Sequence, residues 1–189
     1  MVLRNVYHYS ITSSKGWDDM LGAITASSEI ESLISKASVA YNVPKALIKA
    51  TVKVESDFNP SAFRQEPHLK DASWGLMQIL LSTAKWITKN PDLTASALMQ
   101  PEFNVYTGTK YLAYLMGRYN NVKDVMAAYN AGSPRRKEDG TYVNQAYVDK
   151  AYKWYALYKS AEVVTQPSVG LPLIAVGIAA FALVLGGKR

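Results

Sequence analysis

One glutamate lies where the helical pattern of the sequence expects an apolar residue. Ile48 and Val52 belong to the apolar stripe of a predicted helix, and Glu55 continues that stripe by seven and three residues. An ionised carboxylate on such a face is costly, and the negative end of the helix dipole also disfavours it. We therefore expect Glu55 either to reach solvent, or to pair with Arg64 or Lys85, or to have a raised pKa and serve as a general acid.

The composition excludes several other chemistries. The chain has 189 residues, no cysteine, and only two histidines, His8 and His68. Disulfide frameworks, Cys-ligated zinc, cysteine nucleophiles and three-histidine metal sites are therefore excluded, and we expect no metal and no cofactor. The net charge is +6, but the densest basic run, residues 134–137, is typical of a solvated loop, and no base-reading arrangement is visible. We expect no nucleic-acid partner.

Periodic apolar residues predict a mainly α domain. The predicted helices cover about 30–41, 44–56, 82–88, 101–118, 122–129 and 144–161. The segment 61–73 has no periodicity and is predicted to be a loop, whereas 74–79 is compatible with a strand or an extended turn. The predicted fold class is therefore mainly α, with a small β-like insert near residues 60–80.

The C-terminal part of the chain has the composition of a membrane span. Residues 163–187 include no charged side chain, and residues 169–187 are almost wholly apolar. Nineteen residues in a helix span roughly 28 Å, close to the hydrocarbon thickness of about 30 Å. We predict an N-terminal extension at 1–28, a catalytic domain at 29–162, a linker at 163–168 and a transmembrane helix at 169–187.

The N-terminal sequence has no legible secretory signal, because it lacks an apolar run and a cleavage site. A large domain with only a C-terminal anchor then has no evident export route. One hypothesis is that the protein is phage-encoded and enters the membrane of a virion. The alternative location is the bacterial inner membrane, with the catalytic domain facing the wall. The expected partners are the lipid bilayer and proteins of a virion or secretion machine.

Three short motifs follow one another in the helical region. Glu55-Ser56 precedes an Asn-Pro-Ser-Ala turn at 59–62, a Gly-Leu-Met-Gln block occupies 75–78, and an Ala-Tyr-Asn-Ala-Gly block occupies 128–132. Together they resemble the catalytic domain of soluble lytic transglycosylases, which shares the goose-type lysozyme-like fold, over roughly residues 30–160. A fourth family block matches only at Tyr147-Val148, because Val, Asn and Gln at 143–145 replace the family's Glu, Thr and Arg.

The resemblance implies cleavage of the β-1,4 bond between N-acetylmuramic acid and N-acetylglucosamine in peptidoglycan, which leaves 1,6-anhydromuramyl ends. It implies that Glu55 is the single catalytic acid and base. The cell wall would be opened locally, during phage entry or by an envelope-spanning machine. The other matched positions would bind the glycan or support Glu55: Ser56, Gly75, Met77, Gln78, Tyr129, Asn130 and Tyr147.

Two other functions remain open from the sequence. Asp71, in the predicted loop, is a candidate second carboxylate, and with it the domain could act as a goose-lysozyme-like muramidase that hydrolyses the same bond. Alternatively, the chain could be a non-catalytic wall-binding component of a virion. The intact Glu55-Ser56 pair favours an enzyme over this last reading.

Overall fold

The computed structural model describes residues 26–164. The predicted transmembrane helix at 169–187 lies outside these residues, as does most of the predicted N-terminal extension. Within the described part of the chain, no helix combines the length and the apolar character needed to cross a membrane.

The described residues form a mainly helical domain with one small sheet, as predicted. The helices are α1 (Ser28–Tyr41), α2 (Lys45–Ser56), α3 (Leu81–Thr88), α4 (Ala95–Leu98), α5 (Pro101–Arg118), α6 (Val122–Ala131) and α7 (Gln145–Val164). The strands are β1 (Phe63–Glu66), β2 (Asp71–Trp74) and β3 (Ile79–Leu80), with a 3₁₀ turn at Pro67–Leu69. The short helix α4 has no counterpart in the sequence prediction.

Local sequence sets the bounds of the helix that carries Glu55. Pro44 lies just before α2, where its fixed φ suits the start of a helix. Its missing N–H costs nothing there, because N–H groups at the start of a helix have no partner within the helix. The helix ends because Asp57 and Phe58 both adopt a left-handed conformation, with φ of 54° and 62°. Glu55 therefore lies in the last turn of α2, where the chain leaves the helix for the sheet.

The sheet corrects the prediction of a loop at 61–73. Its strands are antiparallel in the order β1-β2-β3, with Phe63 opposite Trp74 and Glu66 opposite Asp71. The Phe63 and Trp74 rings pack with centroids 4.5 Å apart. The strands escaped detection because they are only two to four residues long, and β1 has no buried face that would impose an apolar alternation.

The core lies between α2, α5 and the helices around them. Ile34, Ile48, Leu76 and Leu112 have no exposed surface and belong to one continuous apolar cluster. Burial of each such side chain stabilises the fold by roughly 1.5–3 kcal/mol. α7 packs along α2, and this contact brings the last described helix of the chain against the end of α2.

Candidate active site

Glu55 lies at a cleft and is partly buried. Its Oε1 accepts a hydrogen bond of 2.6 Å from the Tyr147 hydroxyl on α7, and its Oε2 has no protein partner within residues 26–164. Burial raises the pKa of Glu55 from 4.5 to about 7, although the Tyr147 hydrogen bond and the charges of Arg64 and Lys150 act in the opposite direction. A carboxyl group with a pKa near 7 can donate and accept a proton at neutral pH.

The two ion pairs that were alternatives for Glu55 are not formed. Arg64 instead donates from Nε to Glu66, and Glu55 has no salt bridge among the described residues. The Tyr147 phenol that Glu55 does contact is partly buried, and its removal from water raises its pKa well above the ordinary value. Tyr147 therefore stays protonated and can donate to Glu55 throughout the range in which Glu55 titrates.

The turn between β2 and β3, residues 75–78, forms the support behind Glu55. Gly75 has a φ of +69°, and a Cβ at this position would lie 2.5 Å from Nδ2 of Asn104, so glycine is required. Ser56 donates from Oγ to the Leu76 carbonyl at 2.7 Å, and Tyr129 donates from its hydroxyl to the Met77 carbonyl at 2.9 Å. These bonds tie the turn to α2 and α6.

Met77 and Gln78 point in different directions. The Met77 side chain is fully buried and packs against Gly108 of α5, which leaves it a core residue. Gln78 lines the cleft, and its Nε2 donates to the carbonyls of Ala62 and Gly75, at 3.0 Å each. Of these two neighbours, only Gln78 can therefore contact a molecule in the cleft.

Asn104 was missed by the sequence reasoning, although it organises the same turn. Its Oδ1 accepts from the Met77 N–H at 2.8 Å, and its Nδ2 donates to the carbonyls of Trp74 and Leu98, at 2.7 and 2.8 Å. The side chain is fully buried. The one available signal was its position, four residues before Gly108 on the inner face of a predicted helix.

The cleft extends on both sides of Glu55. One cavity of about 510 Å³ runs from Glu55 between the sheet and the end of α6. A second, of about 800 Å³, lies between the end of α2 and α7, and the two share Glu55, Arg64 and Gln78. Asn130 also lines the first cavity, and its Oδ1 accepts from Asn144 Nδ2 at 2.9 Å. An extended polymer can therefore pass across the carboxyl group of Glu55.

Asp71 does not join this site. Its Oδ2 accepts from the Ser82 N–H at 2.9 Å and its Oδ1 from the Ala72 N–H at 2.7 Å, so it caps the start of α3. Burial opposes ionisation, but these hydrogen bonds outweigh it and hold the pKa of Asp71 below its usual value. Asp71 is not among the residues that line either cavity.

Glu66, and not the candidate second carboxylate Asp71, lines the cleft. It lines the first cavity together with Glu55, and its negative charge contributes to the raised pKa of Glu55. The sequence carried no signal for it, because Glu66 lies in a segment predicted to be an irregular loop, among other charged residues.

The fold and the site define a class of protein, a lysozyme-like helical domain with Glu55 and Glu66 in one cleft. Residues 32–151 match the model of the Transglycosylase SLT domain family. This match covers more than half of the chain, and the chain belongs to that family.

Relatives and solved structures agree with the family assignment. The chain is 35% identical over 114 residues to membrane-bound lytic murein transglycosylase C of Photorhabdus laumondii, covering 53% of this chain and 30% of that protein. The protein of the same name in Edwardsiella ictaluri is 36% identical over 118 residues, with the same coverage. The chain thus spans about 30% of the length of these relatives.

Two solved structures share the fold. An inactive mutant of the lytic transglycosylase Slt from Pseudomonas aeruginosa superimposes with a TM-score of 0.60 at 21% identity, covering 78% of this chain and 26% of that one. The 70 kDa soluble lytic transglycosylase of Escherichia coli gives a TM-score of 0.60 at 24% identity, covering 79% and 26%.

Proposed function

We propose that this domain is a peptidoglycan lytic transglycosylase in which Glu55 is the single acid and base. The observation that carries the proposal is the carboxyl group of Glu55, which lies where the two cavities meet, has a pKa of about 7, and leaves Oε2 without a protein partner among the described residues. Membership of the Transglycosylase SLT domain family and the names of the relatives support the choice of glycan and reaction.

The reaction follows from the two protonation states of one group. Protonated Glu55 gives its proton to the glycosidic oxygen, and the bond from that oxygen to the anomeric carbon breaks with its electron pair on the leaving sugar. The 6-hydroxyl of the muramyl residue then attacks the anomeric carbon, and ionised Glu55 accepts the hydroxyl proton. No water is consumed, the product is a 1,6-anhydro ring, and Glu55 returns to its protonated state.

The other matched residues are proposed to support this cycle. Tyr147 orients the carboxyl group through Oε1, while Gln78 and Asn130 line the path of the glycan. Ser56 and Tyr129 hold the turn that contains Gly75 and Met77, which have structural roles there.

Product mass distinguishes the lyase from a hydrolase. With purified sacculi, we expect the wild-type chain to release muropeptides with anhydro ends, one water lighter than the reducing ends a muramidase makes. Glu55→Gln should abolish release while circular dichroism shows an intact fold, and Glu138→Gln, which alters an exposed glutamate outside both cavities, should be fully active. Reducing ends would favour hydrolysis, and binding without release would favour a wall-binding component.

We further propose that residues 169–187 anchor the domain to a bilayer and that the domain faces the wall. The support is the apolar sequence of that segment, together with the name membrane-bound given to the relatives. A phage virion membrane or a bacterial inner membrane would both present the cleft to peptidoglycan.

A further inference from the structure

The cleft contains a second carboxylate that the proposed reaction has not used. Glu66, at the end of β1, lines the same cavity as Glu55, and its side chain is only 13% exposed. A carboxylate this enclosed needs partners to hold it. The structure supplies two, Arg64 Nε at 2.6 Å and Ser73 Oγ at 3.3 Å.

Both of these donors bind the same oxygen. Arg64 and Ser73 each donate to Oε1 of Glu66, which leaves Oε2 without a protein partner among the described residues. The side chain of Arg64 is 62% exposed, and water therefore screens its charge. The arrangement fixes the position of the Glu66 carboxylate in the cleft and leaves one oxygen available there.

The proposed reaction produces a charge that suits such a group. When the glycosidic bond breaks, its electron pair leaves with the departing sugar, and positive charge develops at the anomeric carbon and the ring oxygen. A preorganised negative group in a site shielded from water stabilises such a charge more strongly than water does. Glu55, once it has given up its proton, is the only other carboxylate lining the first cavity among the described residues.

We propose that Glu66 is a second catalytic carboxylate, which Arg64 and Ser73 hold in the cleft to stabilise the positive charge that develops on the sugar ring. Glu66 exchanges no proton and forms no bond, so the atoms of the reaction balance as before. This inference rests on the proposed function. It assigns Glu66 a charge-stabilising role that neither Asp71 nor any residue of the matched family motifs fills.

Ligand binding tests this role without relying on activity. In a full-length Glu55→Gln background, calorimetry would compare a ring-nitrogen analogue of N-acetylglucosamine, cationic at the pH used, with a neutral N-acetylglucosamine oligomer. Adding Glu66→Gln should weaken the cationic analogue roughly tenfold more than the neutral one, the loss expected for one close charge pair. Adding Glu138→Gln instead should leave the ratio of the two affinities unchanged.

Two further variants keep the proposal falsifiable if Glu66→Gln fails to fold. Glu66→Asp keeps the charge and should keep the preference for the cationic analogue. Arg64→Gln removes one of the two donors that hold the Glu66 carboxylate in the cleft and should weaken that preference. If Glu66→Gln folds, a ratio equal to that of its Glu55→Gln parent would overturn the inference. If it does not fold, an unchanged ratio in Arg64→Gln would overturn it.

Kinetics on sacculi separate this inference from the proposed function. Glu66→Gln alone should lower kcat roughly tenfold to a hundredfold with little change in KM, since it removes an interaction that is strongest in the transition state. A wild-type chain that releases no anhydro ends would contradict the proposed function. An active wild-type chain with a fully active Glu66→Gln variant would contradict only the role of Glu66.

Discussion

At the scale of single residues, the central feature is a carboxyl group kept partly out of water. Burial raises the pKa of Glu55 to about 7, and the hydrogen bond from Tyr147 limits that rise. The folded state therefore holds the proton of Glu55 more tightly than the unfolded state does. As pH rises from 4.5 towards 7, Glu55 ionises in the unfolded chain while the folded chain still holds the proton, so the folded state loses stability progressively, and above 7 the loss is constant.

Removing the ionisable group should therefore stabilise the protein at neutral and alkaline pH. We expect Glu55→Gln to gain stability relative to wild type between pH 4.5 and 7, by up to about 3 kcal/mol, and to gain nothing more at higher pH. Urea unfolding at pH 4.5, 6 and 8 measures this difference, with Glu138→Gln as the control. A difference that does not change with pH would show that Glu55 titrates normally in the folded chain.

The sequence was informative about Glu55 and silent about Glu66 for a physical reason. Glu55 continues a helical apolar stripe, so a departure from the pattern was visible. Glu66 and Asp71 lie at the ends of four-residue strands that are too short to show a pattern, and only the folded structure shows that Glu66 lines the cleft while Asp71 caps α3. Which of the two nearby carboxylates lines the cleft could therefore not be predicted from the sequence.

At the scale of elements, the turn at residues 75–78 depends on a helix distant in the chain. The Asn104 side chain on α5 makes three backbone hydrogen bonds, with Trp74 just before the turn, Met77 within it, and Leu98 at the end of α4. The family motif indicated that the turn is important, but it did not indicate what holds it. The support comes from a polar side chain on a buried helix face, where sequence periodicity predicts an apolar residue.

Loss of the Asn104 side chain should destabilise the turn at residues 75–78 and the active site next to it. We expect Asn104→Ala to lower the free energy of unfolding by roughly 3 kcal/mol, because buried backbone groups at Trp74, Met77 and Leu98 lose their partner. Cleavage of sacculi should fall as well. Asn90→Ala, which removes one exposed local hydrogen bond to Asp92, provides the control, and urea unfolding gives both values. Equal stabilities would contradict the role of Asn104.

At the scale of the whole molecule, the candidate site and the main apolar cluster share the same helices and strands, and the buried members of that cluster run from Ile30 to Ala151. The helical content of this part was predictable because its apolar residues recur with helical spacing. The sheet and the cleft were not, because they arise from packing between segments far apart in the chain.

Cleavage and membrane binding should therefore be separable. A chain that ends at Val164 should fold, cleave sacculi and remain unbound in a liposome flotation assay, whereas the full chain should float with the vesicles. Flotation of the shortened chain would place the membrane-binding residues within or before the helical domain. A full chain that does not float would contradict the proposed anchor.

Helix α7 connects the chemistry to the proposed anchor. Near its start, Tyr147 donates a hydrogen bond to Glu55. From Tyr147 the helix continues unbroken to Val164, a distance of about 26 Å along its axis. Even a fully extended chain would add only about 17 Å between Val164 and residue 169. An enzyme anchored in this way could cut only glycan that passes within roughly 40 Å of its bilayer. Strands in the outer layers of a thick wall would escape it, and the opening that it makes would stay confined to the wall adjoining its own membrane.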